Sequence, residues 1–158
     1  MKEASILEIE RKFLVKDCPR LDNYPLKKIT QAYISTDPVI RIREMANQYF
    51  LTVKSQGHMV REEFDMAITK EQYDCLYAKI ENYPIEKIRY FIPIQDNLTA
   101  ELDIYAGHLD GLMTVEVEFT SMLAADHFTP PCWFGKDITL DNRYKNNNLS
   151  IYGIPKQD

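Results

Sequence analysis

The sequence has 158 residues, of which 45% are hydrophobic and 27% charged, so we expect one folded domain over residues 1–158 rather than a disordered chain. Its formal net charge of −5 argues against a nucleic-acid-binding protein and against a protein of anionic membranes. The first ten residues, MKEASILEIE, lack the apolar core of a signal peptide, and no segment approaches a membrane span, so a cytoplasmic protein is expected.

Most of the chain alternates between apolar and polar residues with a period of two, which is the pattern of β-strands. In chain order, this alternation predicts eight strands, near residues 5–15, 30–35, 39–45, 48–55, 60–68, 85–94, 99–105 and 112–119. A turn rich in Gly and Asp over residues 106–111 joins the last two strands.

One segment between the fifth and sixth strands has a helical period instead. Residues 70–82 repeat apolar residues at intervals of three and four, and Thr69 with Gln72 fits a capping box at the start. Pro84 is expected to end this helix. Two shorter helices are expected near residues 121–127 and 143–150. The predicted fold class is therefore α+β and β-rich.

The charged residues of the strands form like-charge doublets, in which one face of one strand carries two side chains of the same sign. The five doublets are Glu8/Glu10, Arg41/Arg43, Lys87/Arg89, Glu101/Asp103 and Glu116/Glu118. Half-buried sheets usually turn charges to solvent, but a solvated face mixes the signs, because adjacent like charges are destabilising. Carboxylate doublets favour a hard metal cation, and cationic doublets favour phosphate oxygens. The pattern therefore suits a metal–polyphosphate complex.

These charged faces would meet if the eight strands closed into a barrel with the charges inside. The interior would hold eight acids and seven bases, close enough in number to pair: Glu8, Glu10, Glu63, Asp65, Glu101, Asp103, Glu116 and Glu118, with Lys12, Arg41, Arg43, Lys54, Arg61, Lys87 and Arg89. The apolar faces would point outward and need cover from the helices, with a second copy in a homodimer as one source of the rest. The period alone is equally compatible with an open curved sheet.

The order of these charged motifs resembles the CYTH superfamily, the triphosphate tunnel metalloenzymes. The motifs are ExExK at residues 8–12, RxR at 41–43, TxK at 52–54, REEFD at 61–65, KxR at 87–89, ExE at 116–118 and RYKN at 143–146. The resemblance covers about 140 residues and is strongest to the small bacterial inorganic triphosphatases. It implies an eight-stranded antiparallel tunnel that hydrolyses tripolyphosphate with Mg²⁺ or Mn²⁺. Asp65 stands where many relatives carry Glu, and its role is either that of a metal ligand or structural.

Residue by residue, the resemblance implies two sets of functional side chains. The set expected to bind the phosphates is Lys12, Arg41, Arg43, Lys54, Arg61, Lys87 and Arg89. All of these except Arg61, together with the four carboxylates of the next set, are expected to form the catalytic site. The set expected to hold the metal is Glu8, Glu10, Glu116 and Glu118. Glu63 and Asp103 are either further metal ligands or partners that orient the bases, and Arg61 is either a phosphate ligand or a partner of Glu63 or Asp65. Tyr144 and Lys145 either close one mouth of the tunnel or lie on a helix surface.

Other functions share the same charged interior. A class IV-type adenylyl cyclase would release pyrophosphate, and a thiamine triphosphatase would need an apolar site for thiamine, for which Tyr33, Phe50 and Trp133 cannot be assigned. A polyphosphate- or nucleotide-binding module would bind without cleavage, but such a module gains nothing from carboxylates that repel its ligand. The sequence has no GxxxxGK[ST] loop, which excludes a P-loop enzyme.

Two further expectations concern single residues. Glu101 lies near a strand end and is expected to be solvated. The three cysteines are widely spaced and form no CxxC pair, so free thiols are expected rather than a disulfide framework or a zinc site: Cys18, Cys75 and Cys132.

Overall fold

The structure is a computed structural model, and it describes residues 6–156. Its nine strands are β1 (Ile6–Val15), β2 (Leu26–Thr36), β3 (Val39–Met45), β4 (Gln48–Lys54), β5 (Val60–Ile68), β6 (Ile85–Pro93), β7 (Thr99–Tyr105), β8 (Met113–Glu118) and β9 (Phe134–Asp137). Its three α-helices are α1 (Lys70–Tyr77), α2 (Met122–Asp126) and α3 (Asn146–Tyr152). Single 3₁₀ turns lie at Gln95–Asn97, Gly107–Leu109 and Asn142–Tyr144.

The first eight strands close into an antiparallel barrel. Neighbouring strands follow the order β5-β4-β3-β2-β6-β7-β8-β1, and β1 also pairs with β5, which joins the two ends of the sheet. The predicted β-rich α+β class and the eight-stranded barrel are therefore confirmed. Closure leaves no free edge around most of the circumference and fixes which face of each strand is internal.

Strand β1 closes the barrel by changing partners along its length. Its first residues, Ile6 to Ile9, pair with β5, whereas Glu10 to Leu14 pair with β8. Beyond the end of the β5 pairing, Phe13 and Val15 pair with the ninth strand, β9. Strand β1 therefore connects the β2–β5 half of the sheet to the β6–β8 half.

Apolar side chains cover the outside of the barrel in two places. Strands β1 and β8 pack Phe13, Val115 and Val117 beneath α2, β9 and the rings of Phe128 and Phe134. On the opposite side, α1 packs Tyr73 against Ala32 of β2 and Ile42 of β3. The expectation that the apolar faces point outward is thus confirmed at both sites.

Part of the interior is apolar rather than charged. Inward-facing Tyr33, Val39, Ile85 and Tyr105 form a third buried cluster with Tyr144 and Leu149 from the C-terminal segment. Helix α3 packs against β2, so this segment fills one end of the barrel. The charged interior is therefore confined to the remainder of the barrel.

Several element boundaries differ from prediction. Helix α1 begins with the predicted capping box, in which the backbone N–H of Gln72 donates to Thr69 Oγ1 at 3.1 Å. It ends at Tyr77, however, and not at Pro84. Strand β2 starts at Leu26, four residues before its predicted start, and β9 was not predicted.

Two expectations about the surface have different outcomes. All three cysteines are free and exposed, as expected. Some outer side chains remain uncovered, with Leu7 60% and Leu26 53% exposed, and the homodimer stays a prediction. Within residues 6–156, no helix is long and apolar enough to cross a membrane.

Candidate functional site

The inward faces of the strands enclose a charged cavity of about 120 Å³. Eleven of the thirteen predicted site residues line it: Glu8, Glu10, Lys12, Arg41, Arg43, Lys54, Arg61, Glu63, Arg89, Glu116 and Glu118. They come from six different strands, and the alternation of side chains along each strand turns them all to one side. The remaining two, Lys87 and Asp103, are buried behind the cavity wall.

Three carboxylates meet at the junction of β1 and β8. One oxygen each of Glu8, Glu10 and Glu118 lies within 4.8 Å of the other two, and Glu10 stands directly opposite Glu118 in the strand register. Burial and the nearby charges of Glu116 and Glu8 raise the pKa of Glu10 well above its ordinary value. Burial and the same two neighbours also raise the pKa of Glu118. This carboxylate cluster therefore concentrates negative charge that a cation would relieve.

Two cations contact the carboxylate cluster from the β4–β5 side. Arg61 Nη2 lies 3.2 Å from an oxygen of Glu8 and 3.2 Å from an oxygen of Glu10. Lys54 Nζ lies 3.2 Å from Glu8 and 3.5 Å from Glu63. Arg61 is thus paired with the cluster, and not with Glu63 or Asp65.

Glu8 and Glu63 are neighbours whose pKa values shift in opposite directions. Burial would raise the pKa of Glu8, but a hydrogen bond from Glu63 and the charges of Lys54 and Arg61 outweigh it and hold the pKa below its ordinary value. Burial and the hydrogen bond to Glu8 raise the pKa of Glu63 to about 7. Glu8 is therefore the ionised member of the pair.

Arg41 and Arg43 face the cavity without a carboxylate partner. Arg41 donates from Nη2 to Thr52 Oγ1 at 3.2 Å, and its Nε is buried with no hydrogen-bond partner. Arg43 donates to Gln31 Oε1 from Nη2 at 3.0 Å. Among the described residues, neither arginine forms an ion pair. This arginine pair therefore offers donors and uncompensated positive charge to an anion.

Asp65 is connected to the arginine pair indirectly, through the hydroxyl group of Thr52. Its carboxylate accepts a hydrogen bond from Thr52 Oγ1 at 2.6 Å, and the same hydroxyl oxygen accepts from Arg41. Asp65 does not line the cavity. The structure therefore places it as a partner that orients Thr52.

Asp103 holds both members of the Lys87/Arg89 doublet. Its carboxylate accepts from Lys87 Nζ at 2.7 Å and from Arg89 Nε and Nη2 at 2.7 and 2.8 Å. The side chains of Lys87 and Asp103 have no exposed surface. Lys87 is thus not positioned to reach a ligand in the cavity, and the oxygens of Asp103 are occupied by cations. Of the two roles open for Asp103, the contacts fit a partner that orients Arg89.

Glu101 is an ion-pair partner rather than a solvated surface residue. Its carboxylate lies 2.8 Å from Arg89 Nη1, and its side chain is only 21% exposed. The expectation of a solvated side chain is wrong, because Glu101 lies on the inward face of β7 and lines the cavity beside Arg89. Arg89 therefore reaches the cavity held by two carboxylates.

The C-terminal segment closes one mouth of the cavity. Lys12 Nζ donates to the backbone carbonyl of Tyr144 at 2.7 Å and lies 3.6 Å from Glu116. Lys145 Nζ donates to the carbonyl of Gly57, in the connection between β4 and β5. Both Tyr144 and Lys145 line the cavity, so the mouth-closing alternative fits their placement.

Three polar residues support the site in roles that the sequence did not predict: Gln31, Tyr33 and Thr52. Gln31 is fully buried and links Arg43 to Tyr33, since its amide also donates to the Tyr33 hydroxyl at 3.2 Å. Thr52 was identified from the sequence only as the first residue of the TxK motif. All three face inward, and the inward register of β2 with β3 was the signal that could have identified Gln31 and Tyr33.

The cavity therefore has two chemically distinct parts. The carboxylate cluster offers hard oxygen ligands of the kind that Mg²⁺ and Mn²⁺ prefer. The arginine pair offers guanidinium donors of the kind that bind phosphate. Strands β1 and β8 provide the carboxylate cluster, and strand β3 provides the arginine pair. The cavity can therefore hold a metal-bound anion between them.

Two proteins named inorganic triphosphatase are similar to this chain in sequence. One, from Nitrosomonas europaea, is 44% identical over 149 residues, which cover 91% of this chain and 97% of that protein. Another, from Acetivibrio thermocellus, is 32% identical over 146 residues, which cover 90% of this chain and 92% of that protein. No family model matches the chain.

The fold is also similar to that of a solved relative. A crystal structure of an inorganic triphosphatase superposes with a TM-score of 0.70 at 41% sequence identity. The alignment covers 94% of this chain and 97% of the relative. The similarity thus includes the strands that carry the cavity and not merely a part of the barrel.

Proposed function

The chain belongs to the inorganic triphosphatase family, within the CYTH superfamily that its motifs resemble, and from this premise we propose that its cavity hydrolyses inorganic triphosphate with a divalent metal ion. Water attacks a terminal phosphorus, the P–O–P bond breaks, and the products are pyrophosphate and orthophosphate. Hydrolysis of this kind asks the protein mainly for positioning and charge stabilisation. The protein's small-molecule substrate is thus a triphosphate.

The observation that carries the proposal is the separation of charge across one cavity. Arg41 and Arg43 have no carboxylate partner among the described residues, although carboxylates are abundant nearby. Burying two adjacent guanidinium groups unpaired is costly unless an anion compensates them. A triphosphate supplies several anionic oxygens at that position.

The donor set of the carboxylate cluster fits a divalent metal ion. Glu8, Glu10 and Glu118 provide three converging carboxylates. The pKa of Glu10 and of Glu118 is raised first by burial and then by the charges of Glu8 and Glu116, and a cation would offset both effects. When bound there, Mg²⁺ or Mn²⁺ would neutralise charge on the phosphate oxygens. Glu116 is engaged by Lys12 and completes the acidic wall behind the cluster.

The remaining side chains bind and orient the phosphate chain. Arg41 and Arg43 donate to its oxygens, and Arg89 does so from a position fixed by Asp103 and Glu101. Lys12 reaches the cavity near the closed mouth, where it donates a hydrogen bond to the Tyr144 carbonyl. Lys54 holds Glu8 ionised and faces the same space. Lys87 contributes by neutralising Asp103.

The direct test is release of orthophosphate from tripolyphosphate in the presence of Mg²⁺, Mn²⁺ or EDTA. We expect release with either metal ion, none in EDTA, and a loss of at least about a hundredfold in kcat/KM for Glu10→Gln. Glu62→Gln is the matched control, because Glu62 is an exposed carboxylate on the outer face of the same pair of strands.

Three outcomes would overturn the proposal. The first is a wild-type protein that releases no orthophosphate with any metal ion. The second is equal activity of Glu10→Gln and Glu62→Gln. The third is faster turnover of thiamine triphosphate than of tripolyphosphate, or formation of cyclic AMP from ATP, either of which would assign the cavity to another triphosphate reaction.

A further inference from the structure

Arg61 lies between two of the carboxylates proposed to hold the metal ion. It stands opposite Glu8 in the β1–β5 register, and its Nη2 alone contacts Oε1 of both Glu8 and Glu10, at 3.2 Å each. Its side chain is 14% exposed, and its Nε is buried without a hydrogen-bond partner. One nitrogen thus bridges two carboxylates while other donors of the same group are unused.

No other described cation in the cavity contacts two members of the carboxylate cluster. Lys54 contacts Glu8 and Glu63, and Lys12 contacts Glu116. Arg89 is held by Asp103 and Glu101, which lie outside the cluster. Among the described residues, Arg61 is therefore the cation that bridges two members of the cluster, whereas Lys54 contacts Glu8 alone.

The contacts of Arg61 are weaker than those of the other buried arginine that is paired with carboxylates. Arg89 forms a two-point interaction with Asp103 at 2.7 and 2.8 Å, the geometry of a strong guanidinium–carboxylate pair. Arg61 shares one nitrogen between two acceptors at longer distances. Mg²⁺ binds carboxylate oxygens at about 2.0–2.1 Å and repels a nearby guanidinium, so it competes directly with Arg61.

Building on the proposed function, we propose that Arg61 is a built-in counter-cation of the carboxylate cluster, which the metal ion displaces and which then turns to the triphosphate. The metal ion and Arg61 exclude one another at Glu8 and Glu10. Triphosphate that engages the released guanidinium strengthens metal binding, because coupling between two ligands is reciprocal. Arg61 thereby links the two parts of the cavity.

The test is the affinity for Mn²⁺ alone, measured by isothermal titration calorimetry on the full chain without any phosphate. Arg61→Gln removes the competitor, so we expect it to bind Mn²⁺ about tenfold more tightly than the wild type. Arg41→Gln is the matched control, because it removes the same charge from the same cavity but contacts no carboxylate. We expect its affinity to stay within about twofold of the wild type.

The outcomes separate this inference from the proposed function. Arg61→Gln that binds Mn²⁺ no more tightly than Arg41→Gln would overturn the counter-cation role while leaving the metal site intact. A wild-type protein that binds no Mn²⁺ would instead overturn the metal site itself, together with this inference.

A second measurement needs no variant and avoids any defect in folding. Nuclear magnetic resonance of the Arg61 guanidinium reports the rotation of its Nη groups, which a carboxylate bridge restrains. We expect saturating Mg²⁺ to accelerate that rotation in the wild-type protein, with the Arg89 guanidinium as an internal control that does not change. Unchanged rotation of Arg61 at saturating Mg²⁺ would contradict the displacement.

Discussion

Asp103 is a single carboxylate that neutralises two buried cations, Lys87 and Arg89. Replacing it with Asn would leave the buried Lys87 without a compensating carboxylate and would leave Arg89 with Glu101 alone. We expect Asp103→Asn to lower the free energy of unfolding by about 3–5 kcal/mol, measured by urea denaturation. The double variant Asp103→Asn with Lys87→Met should recover part of this loss, whereas a single variant within about 1 kcal/mol of the wild type would contradict the assignment.

The same carboxylate predicts how stability depends on pH. Burial would raise the pKa of Asp103, but the charges of Arg89 and Lys87 outweigh it and lower the pKa below the ordinary value of 3.8. A group whose native pKa is depressed stabilises the fold above its unfolded pKa, and this stabilisation is lost as pH falls through the native pKa. We therefore expect the free energy of unfolding to fall below about pH 4, and Asp103→Asn to show a shallower fall in the same series of urea titrations.

Arg41 provides the residue-scale test of the phosphate site. Its buried Nε has no partner, so its donors are available to the triphosphate. We expect Arg41→Gln to lower kcat/KM for tripolyphosphate by about 10²–10³-fold in a phosphate-release assay. Arg20→Gln is the control, since the Arg20 side chain is 93% exposed and far from the cavity wall. Loss below about threefold for Arg41→Gln would rule out this contact with substrate.

At the scale of elements, helix α1 is a cover for the barrel and not part of the site. It packs Tyr73 on Ala32 and Ile42, which face away from the cavity. Thr69→Ala removes the capping hydrogen bond, so we expect about 1 kcal/mol less stability in thermal or urea unfolding. The value of kcat/KM should not change. A loss of activity with unchanged stability would show that α1 acts on the cavity.

Elements with a long, uninterrupted alternation could be predicted from the sequence, and shorter ones could not. Strands β3, β5 and β7 were predicted to the residue, because each carries charged residues at alternate positions on one face. Strand β9 has only four residues and contains Gly135, which normally argues against a strand. A Cβ at Gly135 would lie 3.1 Å from the Leu14 carbonyl, so the glycine allows β9 to approach β1. That requirement arises from a tertiary contact, which no local pattern contains.

The site was predictable as a set of faces but not as a set of contacts. The alternation of side chains along the strands correctly predicted that the charged residues of the ExExK and RxR motifs face the same interior. It could not separate Arg41, which has no ion-pair partner among the described residues, from Lys87, which is sealed against Asp103. That difference depends on depth along the barrel and on cross-strand register, such as the pairing of Arg89 with Asp103. The sequence pattern carries neither quantity.

At the scale of the whole molecule, closure depends on the short pairing between β1 and β5. This seam has four residue pairs, from Ile6–Glu63 to Ile9–Val60, whereas β2 and β3 share seven. Glu8 and Glu10 lie beside it, and burial together with the charges of Glu116 and Glu8 raises the pKa of Glu10. We expect amides of the seam to exchange with deuterium faster than those between β2 and β3 in EDTA, and Mn²⁺ to slow this exchange. Equal protection of both regions in EDTA would contradict a weak seam.

The changing partnership of β1 also has a consequence for synthesis on the ribosome. The segment that becomes β1 is translated before β5 and β8, yet it must pair with both. At roughly 5–20 residues per second, its β8 partner emerges several seconds later, so the nascent chain carries an unpaired first strand for that time. The intervening meander of β2 to β5 can form meanwhile, which makes insertion of β1 a late event. A circular permutant that begins at β2 and ends with β1 would deliver this strand when its partners already exist.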